Sequence, residues 1–154
     1  MAESTKHSAL DRTALPAFLG YNLRRASLIF WSDFSDLCKR WGVSPAEMSV
    51  MMLLDQHESL SQVALCRTLS LKPSNMTPAI ARLEAKGFVE RIPELMDRRA
   101  PKIKLTTKAM DAMPEWLEAM HEEEQRLQGD LSASEKETLI SLLQRIWVSR
   151  SMQE

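Results

Sequence analysis

Residues 71–88 read LKPSNMTPAIARLEAKGF, and the first part of this stretch collects groups that grip rather than react. Lys72 and Arg82 supply cations, Ser74 and Thr77 hydroxyls, and Asn75 an amide that both donates and accepts. Cations neutralise phosphates, and an asparagine amide can pair with the edge of adenine. Further on, MDRRA at 96–100 groups Asp97, Arg98 and Arg99.

Nothing comparable serves catalysis. The chain has neither a nucleophile elbow nor a phosphate loop. Its three histidines are His7, His57 and His121, and HEEEQ at 121–125 places Gln125 where HExxH needs a second ligand. Cys38 and Cys66 form no CxxC pair and read as reduced, structural thiols, since reactivity needs exposure and a depressed pKa. The sequence thus implies no enzyme, no metal and no cofactor.

Charge is distributed unevenly. The net over 154 residues is −1, yet residues 67–108 carry ten Lys or Arg against four Asp or Glu, and residues 109–137 carry two against nine. A basic working surface beside an acidic solvated one fits this segregation. No apolar run nears the roughly 18–20 residues a membrane span needs, and the N-terminus lacks the apolar stretch of a signal peptide. A cytoplasmic protein is expected, with residues 1–16 as a flexible arm before a single domain at 17–154.

The elements that must position the gripping residues are mostly helical. Residues 17–41 carry one apolar stripe of Leu23, Phe30, Phe34, Leu37 and Trp41 and a second of Leu28, Trp31 and Cys38. Two stripes mean two buried faces, one of them a subunit interface, and Gly42 supplies the stop. The next helix opens at SPAE, where Ser44 and Glu47 fit a capping box and Pro45 the first position. Its Met48, Met51, Met52 and Leu54 read as core filling.

A helix capped by Ser61 and running to Leu69, the turn SLK, and a helix ending before Gly87 then form a helix–turn–helix. Pro73 and Pro78 leave the start of its second helix open. Capping at Ser74 and a late or distorted first turn would spare Pro78 an interior position. Short strands at 88–92 and 102–105 flank a charged loop, which adds a wing. Thr106 or Thr107 caps a helix that Pro114 can kink. Ser132 and Glu135 form a second capping box ahead of Leu139, Leu142, Leu143, Ile146 and Trp147.

RLEAKGFVER, DRRA and KLTTKA, in this order and spacing, resemble the MarR family of bacterial transcription regulators over about residues 20–148. The resemblance implies a mainly α fold with a small β wing: a winged helix–turn–helix with N- and C-terminal dimerisation helices. The DNA-binding core would span about 44–106, and dimerisation 17–41 and 107–150. It implies a homodimer on a pseudo-palindromic operator in double-stranded DNA, most simply a repressor released by a small organic effector. A thiol-based redox regulator and a protein-interaction module without DNA binding are the alternatives.

On that resemblance Ser74, Asn75 and Thr77 face the major groove, Lys72 and Arg82 take phosphates, unless Arg82 pairs with Glu84 or Asp97, and Arg98 takes a phosphate or an internal partner. Arg99 enters the minor groove, whose narrow A·T form favours a guanidinium, and Asp97 positions an arginine. Pro78 stands where relatives often carry arginine. Phe18, Tyr21, Arg24, Arg25, Ser27, Leu28, Trp31 and Phe34 would wall an effector site suited to an aromatic carboxylate or thioester.

Overall fold

The computed structural model describes residues 14–93 and 101–151, with backbone alone for 149–151. After a 3-10 turn at Leu15–Ala17 come α1 (Leu19–Arg40), α2 (Pro45–Asp55), β1 (Leu60–Ser61), α3 (Gln62–Thr68) and α4 (Pro73–Ala85). Then follow β2 (Val89–Ile92), β3 (Lys102–Leu105), α5 (Thr107–Leu127) and α6 (Ala133–Ser151).

The helix ends follow local chemistry. At the end of α1, Gly42 adopts φ +67°. Its N–H donates to the Lys39 carbonyl and that of Val43 to the Cys38 carbonyl, which is the Schellman pattern. Gly87 repeats it after α4, with φ +70° and the Phe88 N–H on Leu83. After α3 the same two bonds form around Ser70 at φ +51°, where a side chain carries the left-handed backbone that glycine adopts freely. The capping box of Ser44 and Glu47 opens α2, and Ser132 with Glu135 opens α6.

The sheet is antiparallel with order β1-β3-β2. β3 alternates strictly: Ile103 and Leu105 are buried, while Lys102 and Lys104 lie at the half-exposed face. Lys104 meets its cross-strand partner Glu90 at 2.9 Å. The strand β1, of two residues, extends the two-stranded wing expected from the sequence.

One core joins α2, α3, α4, β3 and the first half of α5. Met48, Met51, Leu65, Met76, Ile80, Leu83, Ile103 and Met113 fill it, so methionines serve as packing. Full burial of such a side chain contributes about 1.5–3 kcal/mol. Trp116 stacks on Trp41 at 5.1 Å and meets Phe88 edge-on at 5.3 Å, which ties α5 to the end of α1 and the start of β2. Helix α5 continues through Pro114 to Leu127.

Outside this core, α1 exposes Leu28, Ile29 and Trp31, and α6 exposes Leu139, Ile140 and Leu142. No helix among the described residues is long and apolar enough to cross a membrane.

Candidate nucleic-acid interface

Helix α4 starts at Pro73, with Lys72 as an extended N-cap and no side chain closing the cap. The Lys72 carbonyl accepts from Asn75 N–H at 2.9 Å and from Met76 N–H at 3.1 Å. Ser74 is therefore the second helical residue rather than the cap, and the late start expected for this helix does not occur. Pro78 lies inside the helix. Lacking an N–H, it leaves the Ser74 carbonyl without its helical donor, and an interior proline costs about 3 kcal/mol. Tertiary packing outweighs this: Met76, Ala79, Ile80 and Leu83 are all buried beneath the helix.

The opposite face is open. Lys72, Ser74, Asn75, Thr77, Pro78 and Arg82 are all exposed. Ser74, Pro78 and Arg82 follow at intervals of four and so line one row along α4. Thr77 Oγ1 is already engaged, accepting from Gln62 Nε2 of α3 at 2.8 Å. Gln62 thus joins the polar edge of α4, a placement that no local signal around residue 62 foretells.

Arg82 has a partner that the sequence does not suggest. Its Nε donates to Glu47 Oε1 at the start of α2, while Glu84 is held by Arg91 of β2 at 3.0 Å. Glu47 also accepts from Lys86 Nζ at 2.7 Å and from the Ser44 N–H at 3.0 Å, both through Oε2. The carboxylate side chain is 1% exposed, whereas that of Arg82 is 54% exposed. Burial pushes the Glu47 carboxyl up, but the bonds from Lys86, Arg82 and the Ser44 backbone outweigh it and hold the pKa below the ordinary glutamate value. Removing one partner from such a group leaves an uncompensated buried charge or donor.

The C-terminal end of α4 is clasped as well. Thr106 Oγ1, which caps α5 by accepting from the Ala109 N–H, donates to the Gly87 carbonyl at 2.7 Å. Lys108 Nζ donates to the Lys86 carbonyl at 2.7 Å and sits 4.5 Å above the Phe88 ring. The wing residues Asp97, Arg98 and Arg99 lie outside the described residues.

A second candidate region is a cavity of about 340 Å³ between α1, α2 and α5. Of the expected effector residues, Ser27, Trp31 and Phe34 line it, joined by Phe30, Met120, Glu123 and Glu124. Phe18, Tyr21, Arg24, Arg25 and Leu28 are not part of its wall. Glu123 pairs with Arg126, whose guanidinium also lies 3.8 Å from Asp33 of α1.

Cys38 is fully buried, and that burial pushes its thiol up to about 11, so the thiolate is scarce at neutral pH. Cys66 is half-buried. Among the described residues no cluster of His, Cys, Asp and Glu could hold a metal ion.

A profile of the MarR family matches residues 43–100, which takes in α2, the α3–α4 unit and β2. A protein of Thauera aromatica described as a transcriptional regulatory protein for the hcr operon is 28% identical over 130 residues, 84% of this chain and 78% of that one. Among solved structures, the transcriptional repressor CouR bound to a 23-mer DNA duplex has a TM-score of 0.76 and 29% identity, covering 86% of this chain and 94% of the other. A mutant MarR from E. coli complexed with operator DNA has a TM-score of 0.74 and 25% identity, covering 83% and 92%. A winged helix–turn–helix fold, a polar outer face on α4 and these likenesses together make the chain similar to the MarR family of transcription regulators, with residues 43–100 matching the family directly.

Proposed function

We propose that the chain binds a pseudo-palindromic operator in double-stranded DNA as a homodimer and represses transcription until a small organic effector releases it. The observation that carries this reading is the exposed row on α4, polar outside and anchored by Met76, Ile80 and Leu83 inside. Both CouR and the E. coli MarR mutant, which share the fold, are DNA-bound in their solved structures.

In this reading Ser74, Asn75 and Thr77 meet base edges, Gln62 orients Thr77, and Lys72 and Arg82 neutralise phosphates. Arg98 and Arg99 extend the contact from the wing, with Asp97 holding an arginine in place. Each neutralised phosphate adds about 0.9 to the salt slope of the binding constant. The apolar residues left open on α1 and α6 are the surface through which two copies join. The dimer then sets its two α4 helices about 34 Å apart, one DNA turn.

The cavity between α1, α2 and α5 is the place for the effector. Its rings suit an aromatic body, and Ser27 adds a hydroxyl to the wall. Such a ligand acts if it binds one dimer spacing better than the other. A thiol switch is disfavoured by the burial of Cys38.

The test is selection of duplexes from a randomised pool, followed by gel shift at several salt concentrations. Recovery of a two-fold-symmetric motif with steep salt dependence is expected. Weak, salt-insensitive binding to all DNA would instead identify a protein-interaction module. Aromatic compounds screened against the selected complex should include at least one that releases it, and a ligand that binds without changing DNA affinity would defeat the effector scheme.

A further inference from the structure

Glu47 is the one acidic residue in the buried core among the described residues, and its bonds connect two elements far apart in sequence. The ends of α2 and α4 meet there. Oε1 takes Arg82 Nε, Oε2 takes Lys86 Nζ, and the Ser44 N–H closes the cap on the same Oε2. Arg82 and Lys86 are one helical turn apart, so one carboxylate fixes the roll of α4 about its own axis at two points. A capping box needs only a local bond from Glu47 to Ser44, and an exposed glutamate would serve it. The cross-helix pairing is additional to capping.

Arg82 spends only its Nε on this contact. With 54% of its side chain in solvent, the outer part of the guanidinium stays on the open row with Ser74 and Pro78. A guanidinium tethered at Nε has lost most of its rotamer freedom before any ligand arrives, which lowers the entropic cost of the next contact. Pro78, one turn earlier on the same row, offers no charge. Arg82 is therefore the cation that this row relies on.

We infer that Glu47 is a positioning residue for DNA binding: from the core, it aims Arg82 at a backbone phosphate and fixes the roll of α4. This rests on the DNA-binding reading above. Glu47 touches no DNA and acts through Arg82.

The experiment compares wild type, Glu47→Gln, Arg82→Ala and the double variant on the duplex selected with the wild-type protein. Folding and association are checked by circular dichroism and sedimentation at the assay temperature. Glu47→Gln is expected to weaken binding about tenfold and to reduce the salt slope by about 0.9, the value of one phosphate contact. Arg82→Ala should give the same reduction, and the double variant no more than Arg82→Ala alone. A merely structural glutamate would lower the melting temperature, keep the salt slope and add to Arg82→Ala, and that result overturns the inference. Tighter binding by Glu47→Gln with a steeper slope also overturns it, since the carboxylate would then only mask the arginine. Should Glu47→Gln not fold, an unchanged salt slope in Arg82→Ala still refutes the proposal. If the wild type selects no duplex, the DNA-binding reading itself fails first.

Discussion

Leu65 in α3 and Leu142 in α6 are the same residue on helices of one chain, yet the first is fully buried and the second is 48% exposed. The contrast holds for their surroundings. From α2 to the first half of α5, most apolar side chains are closed in by their own chain, and the buried carboxylate of Glu47 is bonded to Arg82 and Lys86. Along α6 and the earlier part of α1 the large apolar residues are mostly open, while Leu37 and Cys38 near the end of α1 are buried. The first region is stabilised within the protomer; the second needs a covering surface, which the proposed dimer supplies. On the proposed function, one chain thus separates the part that reads DNA from the part that pairs.

The comparison can be broken at either end. Leu65→Ala should lower stability by about 2–5 kcal/mol through lost burial and a cavity. Denaturant unfolding that coincides with wild type would contradict a closed core. Leu142→Glu should leave the winged unit folded but weaken self-association by about 3 kcal/mol, roughly a hundredfold. Sedimentation checks this, and a variant that associates like wild type would place the pairing surface elsewhere.

Acid should separate the regions by a smaller amount. The folded pKa of Glu47 is depressed, so its contribution is complete above the unfolded value and is lost as pH falls through the folded one. Below about pH 4.3, wild type should therefore lose stability more steeply than Glu47→Gln. Parallel pH profiles would remove Glu47 from the stability of the reading unit. The least effect is expected at the turn between α3 and α4. Ser70→Gly relieves a left-handed backbone at φ +51° and should stabilise by less than about 1 kcal/mol, visible as a small rise in melting temperature.

Local signals were legible in the sequence and long-range ones were not. Ser44 with Glu47, and Gly42 and Gly87 after their helices, act within a few residues and place the helix ends as expected. The methionine stripe of α2 reads directly as core. Other features have no local code. The two residues of β1 become a strand only because β3 passes beside them. The start of α4 was ambiguous because proline tolerance depends on how well the rest of the helix is packed, and the packing beneath Pro78 involves α2 and α3. Glu47 shows its capping role in sequence but hides its bonds to Arg82 and Lys86, 35 and 39 residues away. The same distance problem separates Gln62 from Thr77 and hides the Glu47 carboxylate from Arg82.

The Thr106 and Lys108 bonds to the end of α4 give α5 a mechanical character. Helix α5 has 21 residues and so extends about 31 Å. Its first turn is clasped to the Lys86 and Gly87 carbonyls, and its far end, at Met120 to Leu127, lines the cavity against α1. The clasp is the first point of a hold near one end of a rod. Ala109, Met113 and Trp116 extend that hold through the core, so only about 16 Å of the rod, from Leu117 to Leu127, reaches past it. An occupant of the cavity would press on that outer arm, and α4 would sense only what passes through the held half.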